Sequence, residues 1–174
     1  MAFSKYLKNC IKIENICYKT VNIDKIKCQF NPDRFQFYKI CIKHNNRDLL
    51  KIKYSPHVDL INLFFDKINK IGINNFDMEL FSKNKDSYYY KMQKLYGRDD
   101  AWIEKKIFKF INMAFNFDLS KQENYPIILD RPIQFNEYTN SGNYEIWEGH
   151  HRLAICYVKK INNPKVNVSR WIER

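Results

Sequence analysis

Tyr144-Glu145-Ile146-Trp147-Glu148-Gly149-His150-His151-Arg152-Leu153-Ala154-Ile155-Cys156-Tyr157-Val158 reads as a strand that breaks at a glycine into a helix. The first five residues are β-prone. After the glycine, Leu153, Ala154, Tyr157, Val158 and Ile161 recur at helical spacing and predict a helix to about Ile161. A strand-to-helix turn leaves backbone N–H donors at the helix start, and the helix dipole makes that end favourable for anions. Gly149 allows a sharp bend and lets a ligand approach the backbone. At about 100° per residue, Arg152 falls nearly opposite the apolar stripe and is predicted to point away from the core. A guanidinium there takes a phosphate bidentately.

His150 and His151 occupy the first helical positions, where imidazoles donate hydrogen bonds to phosphate or exchange protons near neutral pH. The predicted wheel turns His150 toward the core and His151 toward the flank, so His151 is the better ligand contact. Glu148 is a candidate metal ligand for phosphate-bound Mg²⁺, or a base. A plain structural turn with solvated histidines and a surface arginine is the competing reading of the same residues.

Upstream, Phe35 to Lys43 and Leu49 to Tyr54 predict a β-hairpin across the polar turn His44 to Asp48. Ser55-Pro56 opens a helix with Val58, Leu60, Ile61, Leu63, Phe64, Phe65, Ile68 and Ile71 on a broad apolar face, and Gly72 stops it. His57 lies in that Pro-constrained start and is a candidate substrate or metal group near the Gly149 turn. Residues 74–98 are the least regular. Their Tyr88-Tyr89-Tyr90 run is either a base-stacking platform or a half-buried helix face. Asp99 is a credible N-cap for a helix carrying Ile103, Ile107, Phe110, Ile111 and Ala114. Pro126 to Asp130 reads as a buried strand, Asn140 to Asn143 as a turn, and Val166 to Arg170 as a last strand after Asn162-Asn163-Pro164.

Gly149-His150-His151-Arg152-Leu153-Ala154 resembles the G-x-x-R box of the ParB/sulfiredoxin-like superfamily, which binds nucleotide phosphates between a strand and a helix. The similarity extends over about residues 99–170: the helix from Asp99, the Pro126-Ile127-Ile128-Leu129 strand, a hairpin near Gly142, and Asn163-Pro164-Lys165-Val166 after the box helix. The segments Phe35 to Tyr38 and Ser55 to His57 look like a leader found in some relatives. Glu148 stands where an Asp is common. The resemblance implies an α/β fold, a mixed sheet flanked by helices, with residues 1–98 as a hairpin-and-helix elaboration packed on a 99–174 core. Sulfiredoxin chemistry needs a cysteine where His150 stands. The box lacks the paired arginines of the partition proteins, and no helix-turn-helix is expected after Arg174. The remaining branches are stand-alone free-serine-kinase-like or nuclease-like domains. Their kinases need a carboxylate base outside the box, for which Asp130, Glu145 and Glu148 are candidates.

Composition sets the outer bounds. The 174 residues suit one domain, and 45% hydrophobic content with 16% aromatic supplies a sizeable core. The net charge of +11 favours anionic partners, though scattered lysines carry most of it. Five cysteines, Cys10, Cys17, Cys28, Cys41 and Cys156, form no C-x-x-C pair and no zinc spacing. Reduced thiols in a cytoplasmic protein are expected, with no membrane span. The expected function is that of a nucleotide-binding (ATP or CTP, with Mg²⁺) enzyme acting on phosphoryl groups, as a small-molecule kinase, NTP hydrolase or nuclease. Its partners would be nucleotide and either DNA or a small phosphoryl acceptor. The alternative is a non-catalytic nucleic-acid-binding module.

Overall fold

The computed structural model describes residues 10–28, 51–118, 120, 127–130 and 144–173. In chain order these form β1 (Cys10–Thr20), β2 (Ile26–Cys28), α1 (Pro56–Ile71), α2 (Met78–Ser82), α3 (Tyr88–Leu95), α4 (Asp100–Phe115), β3 (Ile127–Asp130), β4 (Tyr144–Glu148), α5 (His150–Val158) and β5 (Lys165–Glu173).

Local chemistry explains the helix starts. Ser55, Asp77, Ser87 and Asp99 each accept a hydrogen bond from a first-turn N–H, satisfying donors the helix cannot satisfy itself. Pro56 sits at the first position of α1, where its missing N–H costs nothing. Gly72 ends α1 with φ 78°, a conformation that favours glycine.

The expected α/β domain, a mixed sheet flanked by helices, is overturned. Among the residues whose side chains are described, 66% lie in helix and 8% in strand, with a single strand and no sheet among them. With the strand residues that are described by their backbone alone included, the strands pair in the order β1-β5-β3-β4-β2. Among the described side chains of the core, strands supply only Ile26, Ile146 and Val166, while Val58, Leu60, Ile61, Phe64, Ile103, Ile107, Phe110, Ile111 and Ala114 come from α1 and α4. Helix packs on helix. The physical reason is in residues 74–98, where caps at Asp77 and Ser87 support two further helices with no long apolar stripe.

The expected hairpin also fails where it is described. Ile52–Tyr54 is a 3-10 turn closed by the Ser55 N–H on the Ile52 carbonyl, because the chain is already turning toward the Ser55 cap. The expected strand Phe35 to Lys43, its turn at His44 to Asp48, and the turn Asn140 to Asn143 lie outside the described residues. Buried residues from before and after position 98, including Phe64, Tyr89, Phe110 and Leu153, belong to one hydrophobic cluster.

Candidate functional site

Gly149 lies between β4 and α5 with φ 95° and ψ 23°, the left-handed conformation of an N-cap that adds no side chain of its own. The Leu153 N–H on the Gly149 carbonyl, at 2.9 Å, closes the first turn. Helix α5 is more deeply enclosed than its predicted stripe. Leu153, Ala154, Ile155 and Cys156 are all fully buried, while Tyr157, Val158 and Ile161 are half-buried. The difference arises because α1, α4, β3 and the Ile52–Tyr54 turn all pack on α5 and cover more than one face of it. The helix stops at Val158 rather than near Ile161. Lys160 takes φ 58°, and the Ile161 N–H bonds the Cys156 carbonyl at 2.8 Å, a left-handed closure.

Three imidazoles meet at the start of α5. The ring of His57, from the first turn of α1, stacks on His150 at 5.6 Å between centroids and 24° between planes. It meets His151 edge-on at 5.0 Å. His57 is buried, and its Nδ1 has no hydrogen-bond partner among the described residues. The Tyr89 hydroxyl of α3 lies 2.8 Å from His151 Nε2. Phe110 of α4 closes the cluster with its ring 4.2 Å from His151. Three helices thus bring His57, Tyr89 and Phe110 to the turn that carries His150 and His151.

Burial controls the electrostatics. His151 is lowered to about 3, first by burial and then by His150, Lys106 and Arg152. His57 is held well below the usual imidazole range by burial, followed by His151 and His150. Burial raises the Tyr89 phenol, partly offset by a hydrogen bond with Gln93. The expectation that His151 exchanges protons near neutral pH is corrected: this ring is neutral there and turned inward, against Tyr89 and Phe110. Burial pushes the Cys156 thiol up to about 12, so it is no nucleophile at neutral pH.

Of the other candidates, Arg152 is half-buried on the first turn of α5, and Glu148 directly precedes Gly149. Asp130 and Glu145 are register partners across the antiparallel β3–β4 pair, and Glu148 pairs with Ile128. The side chains of Asp130, Glu145 and Glu148 lie outside the description. Among the described residues no group of three or more His, Cys, Asp or Glu is arranged to hold a metal. Imidazole nitrogens suit Zn²⁺ better than Mg²⁺, which takes oxygen ligands, so the expected Mg²⁺ depends on Glu148 and on the phosphates themselves.

The tyrosine run is a helix face rather than a base-stacking platform. Tyr88 is 67% exposed, whereas Tyr89 and Tyr90 are 1% and 5% exposed. Sequence reasoning placed Tyr89 and Phe110 in helices or a stripe but did not connect either to the histidines. Periodicity gives a face, not its partner. No helix among the described residues is long and apolar enough to cross a membrane. No family model, no curated protein and no solved structure matches the chain.

Proposed function

We propose that this chain binds a nucleotide phosphate at the start of α5 and is an enzyme acting on phosphoryl groups. The observation that carries the reading is the left-handed Gly149 cap with three imidazoles gathered around it, of which burial holds His57 and His151 neutral. A helix start supplies N–H donors and the positive end of the dipole. Neutral imidazoles each add one N–H donor without requiring a buried positive charge. Arg152 supplies the permanent cation, and the +11 chain raises the encounter rate with anions. Phosphoryl transfer demands positioning and charge stabilisation above all. Glu148, next to the turn, is the proposed metal ligand or base. The local likeness of Gly149 to Ala154 to the ParB-type box supports the same chemistry.

The test is calorimetric titration with ATP, CTP, GTP and short duplex DNA in Mg²⁺, followed by product analysis with amino acids, nucleosides or DNA as acceptors. Arg152→Ala is expected to weaken nucleotide binding ten- to a hundredfold, about 1.5–3 kcal/mol. Glu148→Gln is expected to abolish turnover with binding retained. An Arg152→Ala protein that folds and binds nucleotide unchanged sinks the phosphate site. DNA binding with a steep salt dependence and no nucleotide consumed establishes the nucleic-acid module instead.

A further inference from the structure

We infer that Tyr89 is a positioning residue of this site: its hydroxyl donates to Nε2 of His151 and locks that ring as the tautomer with its proton on Nδ1. The functional consequence rests on the phosphate reading above, while the tautomer itself does not. A neutral imidazole has one donor and one acceptor nitrogen, and the hydrogen bond made by one decides the role of the other. Tyr89 and His151 are 2.8 Å apart, hydroxyl to Nε2, with Tyr89 only 1% exposed.

The chemistry of the two groups assigns the donor. The phenol keeps its proton throughout the neutral range, since burial raises it. A phenol O–H is also a stronger acid than a neutral imidazole N–H, and an imidazole nitrogen is a stronger acceptor than a phenol oxygen. The phenol proton is then directed to His151. Phe110, 4.2 Å from the His151 ring, and His57, at 5.0 Å, crowd the imidazole. The bond links helix α3 to the first turn of α5.

Two consequences follow for the chemistry. His151 Nε2 is occupied, so this nitrogen is not the general base, and base work falls to a carboxylate such as Glu148. Nδ1 then carries the ring's only N–H, and His151 serves as a fixed donor.

The experiment uses the full chain with ¹⁵N-labelled histidine and a long-range proton–nitrogen correlation spectrum at neutral pH. His151→Gln assigns the ring. The expected result is His151 in the Nδ1–H form in the parent protein. In Tyr89→Phe the ring loses that lock and shifts toward the Nε2–H form favoured in water. ATP affinity in Tyr89→Phe, read by calorimetry, is expected to fall about two- to tenfold. An Nε2–H form in the parent protein, or an unchanged tautomer in Tyr89→Phe, overturns the inference. Should Tyr89→Phe fail to fold, the parent spectrum alone decides. A tautomer shift in a protein that binds no ATP removes the phosphate reading and leaves the Tyr89 lock established.

Discussion

Phe110→Ala lowers the unfolding free energy by about 3–5 kcal/mol, the range for removing a fully buried phenylalanine. Phe110 is 1% exposed and sits on the buried face of α4 with Ile103, Ile107, Ile111 and Ala114. Its ring also lies 4.2 Å from His151, 5.8 Å from Tyr89 and 6.0 Å from His57. The substitution therefore removes core volume and the wall that restrains two histidines. A cavity beside such a ring does not collapse without moving it, because close-packed interiors relax only partially. Chemical denaturation measures the stability, and histidine ring resonances report the loosening. A loss below about 1 kcal/mol, with unchanged His151 resonances, contradicts the placement of Phe110 between core and site.

What could be read in the chain beforehand divides along physical lines. Local rules did well: Ser55 and Asp99 as caps, Gly72 as a stop, and the buried stripe Ile103 to Ala114 all depend on nearby residues and appear as expected. The strand–glycine–helix order around Gly149 is local too, and it is present. The balance of helix and strand was misread because α2 and α3 are short, with five and eight residues, and their apolar positions are interrupted. A five-residue helix spans little more than one turn, too few positions to show periodicity. The meeting of His57 with His150 and His151 is long-range. The place of His57 in a capped helix start is local, whereas its proximity to the Gly149 turn depends on how α1 packs on α5. Tyr89 as the partner of His151 required knowing that α3 and α5 converge, and no spacing encodes that. The direction of His151 was missed for the same reason: a wheel drawn from one stripe cannot foresee that α1, α3 and α4 enclose the helix start.

Stability is expected to fall by about 2–4 kcal/mol between pH 7 and pH 5, with His57 and His151 as the cause. Both imidazoles are held below their ordinary value by burial, His151 to about 3. In the unfolded chain each returns to about 6.5 and takes up a proton as pH falls through that value. The folded state does not, so the unfolded state binds more protons and gains free energy as pH falls. Each histidine contributes at most about 1.4 kcal/mol per pH unit below pH 6.5, which over this interval sums to about 2 kcal/mol per ring. The loss continues until the folded state itself protonates, near pH 3 for His151. Unfolded carboxylates titrate near pH 4, so the interval from 7 to 5 isolates the histidines. Urea unfolding at several pH values measures the slope, and His57→Gln with His151→Gln together should flatten most of it. A parent protein equally stable at pH 7 and pH 5 refutes the buried neutral pair, and so does a double variant that keeps the full slope. With the pair intact, charging these rings in place would bury cations beside Gly149, so between pH 7 and pH 5 only the unfolded chain takes up the protons, and that difference drives unfolding.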